Sequence, residues 1–243
     1  MPEQETTSDR LFPLSFPQRM FWLLDQLEPD LPAYNLPRAL KIDGALDVDA
    51  LRGAFRALLR RHDVLRTSFV AEDGELFQHV HEHVDIDFLV RDLSHLPASV
   101  RMAESLTVAS EEGRKPFDLE RAPMLRATLL CLSTDEHILV LVMHHIVSDG
   151  WSMSILFREI TQFYGQLALG RPPQLPTLPI QYADFARWQR EQLSDEALTR
   201  DLEYWEHKHF AGVRLCSNYR LTIHALLSRA TTAPWKASRS AES

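Results

Sequence analysis

The sequence predicts an α/β chain in which helices pack on a β-sheet. Three observations predict it. Apolar residues recur at helical spacing in separate stretches, among them Leu51, Phe55, Leu58 and Leu59, and later Ile155, Leu156, Ile160, Phe163, Tyr164 and Leu167. Two strongly apolar runs, Met124–Leu132 and His137–Met143, have the length of buried strands and lie close enough to form a central hairpin. Helical and strand-like segments alternate along the chain, which points to a layered fold with helices packed on a sheet.

Taken in order, residues 1–10 read as a disordered N-terminus. Ser15 is a cap candidate with Pro17 just inside, and Met20, Leu23, Leu24 and Leu27 give a helical face that ends before Pro29. Pro32 and Pro37 bracket an extended linker, and Arg38–Ile42 alternates like a strand entering the turn at Asp43-Gly44. Asp47 caps the next helix, which runs through Arg61. Leu65–Val70 and Leu76–Val80 read as strands joined through Glu72-Asp73-Gly74, a hairpin signal. Val84–Val90 is a further strand, and Pro97–Gly113 a helix ended by its glycine. The helix from Ser152 stops at Gly170.

Residues 171–180 hold four prolines, Pro172, Pro173, Pro176 and Pro179, and form the clearest linker. Tyr182–Leu193 and Glu196–His209 then read as helices. From Arg214 onward there are five basic residues and one acid, Glu242, among many Ser, Ala and Thr. No sustained amphipathic pattern runs through this tail, and residues 213–243 are expected to be disordered.

Composition narrows the class. A chain of 243 residues can be one large domain or two small ones, and can bury a sizeable core. A formal net charge of −8 argues against nucleic acid as the main partner. The two cysteines, Cys131 and Cys216, form neither a disulfide framework nor a metal-ligand spacing, which suits a reducing compartment. The N-terminus lacks a secretory pattern, and no apolar run approaches the roughly 20 residues of a membrane helix. A soluble, cytoplasmic protein is expected, without membrane contact.

The chemistry concentrates in Met143–Ser152, MHHIVSDGWS, where a buried strand ends and a helix begins. Polar groups at such an end tend to face a cleft. Adjacent strand residues point to opposite faces, so His144 and His145 cannot be equal partners; one enters the cleft while the other packs or braces. Three readings remain open from the residues alone. The first is a strand-to-helix turn with incidental histidines, since Asp149 and Gly150 suit a turn in any case. A metal site is the second; His79, His81 and His83 alternate on a strand, but an exposed polar edge is the commoner cause and no second cluster has ligand spacing. The third is acyl transfer, for which a neutral imidazole can take or orient a proton near neutral pH. No nucleophile motif around a serine or cysteine accompanies it, so the nucleophile would come from a substrate.

The stretch from Met143 resembles the His-His-x-x-x-Asp-Gly signature of condensation domains in nonribosomal peptide synthetases, which is shared with chloramphenicol-acetyltransferase-like acyltransferases. Three further segments occur in the family's order. Leu14–Leu23 (LSFPQRMFWL) is similar to its opening motif, Arg61–Phe69 (RHDVLRTSF) to its Arg-His-x-x-Leu-Arg-Thr-x-Phe motif, and Tyr182–Trp188 (YADFARW) to its Tyr-x-Asp-Tyr-Ala-x-Trp motif. The resemblance covers roughly residues 11–212.

It implies a chloramphenicol-acetyltransferase-like lobe, an α+β sandwich with a mixed β-sheet flanked by helices, and an amide-forming reaction between a carrier-bound acyl or peptidyl thioester and a carrier-bound aminoacyl amine. No cofactor is bound directly; substrates ride on phosphopantetheine of partner carrier domains, beside adjacent synthetase modules. His145 takes the catalytic position, and His144, Asp149, Gly150, Arg61 and Arg66 support the site. Asp149 is expected to pair with Arg61 or Arg66, and Gly150 to permit close backbone approach. The segment around Leu24–Pro37 looks most like domains that accept an L-residue donor.

The resemblance also implies domain boundaries. Residues 11–170 correspond to the N-terminal lobe, 171–180 to the linker and 181–212 to the helical start of a second lobe. A full domain is about twice the length of this match, so the chain is expected to lack the second lobe. Its tail then reads as a frameshift, a gene fragment or a misjoin. Two alternatives stand beside the acyltransferase: a catalytically incompetent remnant that binds carriers, and a stand-alone acyltransferase completed by dimerisation.

Overall fold

The computed structural model describes residues 11–193 and the helical Tyr204. The expected disordered N-terminus, Cys216, the helix from Glu196 apart from Tyr204, and the tail lie outside the described residues. Residues up to Leu193 belong to one unit of the fold.

Its centre is a four-stranded mixed sheet ordered β2-β7-β6-β5, from β2 (Asn35–Asp43), β5 (Asp87–Asp92), β6 (Leu125–Cys131) and β7 (Glu136–His144). The expected hairpin is its middle: β6 and β7 pair antiparallel, with Leu125 opposite Met143. On either side β2 joins β7 antiparallel and β5 joins β6 parallel. Because β2 is an edge, Pro37 sits within it without breaking a ladder on both sides. A second, three-stranded sheet, ordered β1-β4-β3, contains β1 (Leu11–Pro13), β3 (Thr67–Glu72) and β4 (Glu75–Val80). The sequence reading has one sheet and no β1. Three residues are too few to show alternation, and the division into two sheets is a long-range choice.

Strand parity arranges the core. Leu139, Leu141 and Met143 of β7 enter one buried cluster with residues of α2 (Val48–Arg61) and α4 (Gly150–Ala168). Ile138, Val140 and Val142 enter the other, with Val108 of α3 (Ala98–Arg114). The sheet is thus covered on both faces, which is why β7 reads as a continuous apolar run. Gly113 does not end α3 as expected. A Cβ there would lie 3.3 Å from Pro37, so the glycine lets α3 approach β2, and the helix closes at Lys115 instead.

Local signals hold elsewhere. Asp73 and Gly74 both have positive φ, 50° and 82°, as the two-residue hairpin between β3 and β4 demands. The strand expected at Val84 begins later, at Asp87, where pairing with β6 becomes possible. Among the described residues no helix is long and apolar enough to cross a membrane.

The helix that reaches the site is α1 (Phe16–Leu27), started by a capping box between Ser15 and Gln18. Gln18 is buried and donates to Gln78 Oε1 at 2.9 Å, while Gln78 donates to the Pro13 carbonyl at 2.8 Å. This pair of amides fastens α1 to the three-stranded sheet. Substituting Gln78→Leu leaves a buried donor and acceptor unmatched, at a cost of about 1–3 kcal/mol. Chemical denaturation should show a lower midpoint with an unchanged slope; an unchanged midpoint would mean that the amide pair does not hold the helix.

Candidate active site

Beyond Met143 the parity of β7 divides the two histidines. His144 continues the face of Val142 and packs among Phe21, Tyr34 and Phe117, each edge-on to its ring. His145 continues the face of Met143 and lines a cavity of about 740 Å³. The backbone holds both in place. His144 N–H donates to the Met124 carbonyl at 3.1 Å, and His145 N–H to the Tyr34 carbonyl at 2.8 Å.

His144 is 3% exposed and its Nδ1 accepts the Ile146 N–H at 3.1 Å. A nitrogen that accepts carries no proton, so neutral His144 has its hydrogen on Nε2. Burial, then the neighbouring His145, then the Arg126 guanidinium push its pKa down from 6.5 to about 4. Arg126 is itself stacked 3.7 Å from the Phe117 ring centroid and donates to the carbonyls of Pro116 and Lys115. A fixed positive charge therefore stands near His144 and disfavours a second one.

His145 is partly exposed and stacks on Phe21, with ring centroids 4.8 Å apart and an interplanar angle of 24°. The cavity beside it is apolar over most of its wall, from Phe21, Leu58, Leu65, Ile155, Leu156 and Phe185. Beside His145, the charged and titratable groups on its wall are Arg61, His62, Asp149, Arg158, Glu159 and Tyr182. Apolar walls with a few convergent polar groups are what a substrate site needs.

Asp149 departs from its expected pairing. It is the N-cap of α4, and its Oδ1 accepts from Ser152 N–H at 2.7 Å and from Ser152 Oγ at 2.6 Å. The Ser152 hydroxyl and N–H together hold its carboxyl below the usual range. A cap of this kind contributes about 1 kcal/mol. Neither arginine reaches it. Arg61 donates Nε to both Glu159 oxygens, at 3.2 and 3.1 Å. Arg66 spends its donors on Asp63 and on the carbonyls of Leu59, His81 and Glu82, fastening the bend after α2 to the end of β4. Arg61 lines the cavity, whereas Arg66 lines a separate pocket with Arg56 and Arg60.

Gly150 is the first residue of α4, just ahead of the expected start near Ser152. A Cβ there would meet nothing within 4 Å, so no close approach among the described residues accounts for the glycine. His79 and His81 lie 4.3 Å apart, and His81 Nε2 is 2.8 Å from Ser68 Oγ. Among the described residues no three His, Cys, Asp or Glu side chains gather where a metal ion could sit.

Motif reading passed over Phe21, His62 and Glu159. The signal for Glu159 was present: it lies three residues after Leu156 and four before Phe163, which places it in the buried stripe of α4.

The depressed His144 pKa has a consequence for stability. The unfolded chain binds this proton more readily than the folded one, so stability is complete above about pH 6.5 and is lost as pH falls toward about 4. Across that window the linkage amounts to roughly 1.4 kcal/mol per pH unit. The unfolding free energy of the wild type should fall more steeply between about pH 6.5 and 4.5 than that of His144→Asn, which cannot titrate there. Parallel curves would contradict a buried neutral His144.

A family model described as "Condensation domain" matches residues 8–222. A linear gramicidin synthase of Brevibacillus parabrevis is 42% identical over 200 residues, which are 82% of this chain and 3% of that protein. Phosphinothricin tripeptide synthetase PhsC of Streptomyces viridochromogenes is 44% identical over 196 residues, 81% of this chain and 18% of that protein. The chain thus spans a small fraction of these relatives. Among solved structures, the X-domain in complex with OxyB from teicoplanin biosynthesis matches with a TM-score of 0.69 and 31% identity, over 88% of this chain and 45% of that one. The starter condensation domain of rhizomide synthetase RzmA matches with a TM-score of 0.73 at 24% identity, a likeness of fold that covers 84% of this chain and 49% of that one. With the family model spanning most of its length and synthetases among its relatives, the chain belongs to the condensation-domain family of nonribosomal peptide synthetases.

Proposed function

We propose that the chain serves amide-bond formation between a carrier-bound acyl or peptidyl thioester and the amine of a carrier-bound aminoacyl thioester. In this reading the amine nitrogen attacks the thioester carbonyl carbon, the C–S bond breaks, and the donor's phosphopantetheine thiol leaves. His145 either takes the proton shed by the amine and returns it to the departing thiolate, or hydrogen-bonds the amine and orients it while that proton passes to the thiolate. One observation carries the reading: of the two adjacent imidazoles, His145 alone lines the apolar cavity, while His144 is walled in by aromatic rings.

An α-amine has a pKa near 8, so a modest acceptor suffices and much of the effect comes from holding the two thioesters together. Amide formation from a thioester runs downhill and calls for no nucleotide or metal. His144 braces the turn through Ile146, Asp149 caps α4, and Arg61 anchors the far side of the cavity. Arg66 acts behind the site by fixing the bend from which Arg61 projects. Gly150 supports the site as the residue that opens α4.

The partners in this reading are carrier domains and neighbouring synthetase modules in the cytoplasm. Residues 11–170 act as an N-terminal lobe, 171–180 as the crossing segment, and 181–212 as the stretch that leads into a second lobe, its helix Tyr182–Gln192 still packed on the first. A second reading is a carrier-binding module without turnover; what favours a docking role is that the similar X-domain is described in complex with another protein, OxyB.

Incubation with loaded donor and acceptor carrier domains separates the two. The first reading expects peptidyl product that falls by a factor of about 100 or more in His145→Ala, the usual span for loss of a proton-transfer group. Product that survives the substitution would remove His145 from the chemistry. Carrier binding without any product from the wild type would favour the second reading.

A further inference from the structure

We propose that Glu159 is a positioning residue: through Arg61 it holds the proline-rich crossover, residues 171–180, as a fixed wall of the cavity that His145 lines. Glu159 lies in the middle of α4 and is 5% exposed. A carboxylate so deeply buried is tolerated only if its lone pairs are filled. Arg61 Nε bonds both oxygens, and His62 donates Nε2–H to Oε2 at 2.6 Å. Arg61 is thereby fixed with Nη1 free to reach onward, and it donates to the Pro176 carbonyl at 2.6 Å.

That reach matters because of what the crossover is made of. Its four prolines carry no N–H, so the segment has few donors with which to join a sheet and is held instead by side chains, some reaching its carbonyls and one, that of Gln181, standing at its end. Gln181 closes the grip at the other end: its Nε2 donates to the Arg61 carbonyl at 3.0 Å, and its Oε1 accepts the Asp63 N–H at 3.1 Å. Leu178 and Ile180, which line the cavity, lie between the Pro176 and Gln181 anchors. At the near end, Gln166 grips Gln174 through two bonds, at 2.7 and 3.0 Å.

Stability alone does not account for this choice of residues. A buried ion pair is often no more stabilising than apolar side chains of similar volume. An apolar pair at positions 61 and 159 would fill the space between α2 and α4 but could not reach the Pro176 carbonyl. The ionic pair does both. Its effect on the reaction rests on the amide-forming reading: a wall that holds the substrate beside His145 governs how well substrate binds more than how fast it reacts.

Two variants test the wall. Arg61→Met/Glu159→Leu fills the space without the reach, and Glu159→Gln keeps the side-chain shape, so it carries the test if the double variant does not fold. The readout is amide exchange at Asp63, whose N–H is protected by Gln181, against exchange at His145, whose N–H is bonded to the Tyr34 carbonyl just beyond β7. Exchange at Asp63 should accelerate about tenfold in the double variant and severalfold in Glu159→Gln, with His145 unchanged. Unchanged exchange at Asp63, or exchange that rises equally at both amides, overturns the proposal. With loaded carriers, KM for at least one of the two carrier-bound substrates should rise about tenfold in the double variant with kcat kept within about threefold. A raised exchange rate with unaltered KM overturns the positioning role. A wild type that makes no product counts against the amide-forming reading, while exchange still decides the wall.

Discussion

A β-strand cannot send two adjacent side chains to one face, and the end of β7 puts that constraint to use. Residues 138, 140 and 142 pack toward α3, while 139, 141 and 143 pack toward α2 and α4. Carried on by two residues, the same alternation buries His144 among aromatic rings and delivers His145 to the cavity. Two chemically identical side chains thus acquire different properties. One is a neutral brace with a fixed tautomer, and the other is an imidazole open to the cavity. The register of β2 on β7, which sets Asn35 opposite His144, and the docking of α1, which brings Phe21 onto His145, both serve that division.

Much of this arrangement was legible in the residues, because local chemistry wrote it. The capping box of Ser15 and Gln18, the Asp73-Gly74 hairpin and the apolar runs of β6 and β7 each obey a short-range rule, and each stands where that rule puts it. What escaped depended on distance. β1 is three residues long and exists only because β4 pairs with it. The parallel pairing of β5 with β6 follows from a crossover through α3 that no local pattern states. Gly113 looked like a helix stop and is a contact surface for Pro37.

The site shows the same divide. That one histidine enters the cleft and the other packs followed from strand parity alone. The expected bond from Asp149 to an arginine did not form, because Ser152 supplies two donors from three residues away at almost no entropic cost. Arg61 found instead an acid 98 residues further on, Glu159, which spacing places in the buried stripe of α4 but whose partner no spacing could identify. Local donors win over distant ones whenever geometry allows both. The distant ion pair persists where its carboxylate is buried and has no local alternative.

Burial keeps His144 neutral, while its neighbour His145 lines the cavity. Nitrogen-15 NMR of the labelled chain, followed through an acid titration, tests that neutrality most directly. The account predicts that His144 is neutral at pH 7 with its proton on Nε2 and an unprotonated Nδ1, and that it takes up a second proton only near pH 4. A His144 that carries its proton on Nδ1, or that titrates near the ordinary value of about 6.5, would contradict it.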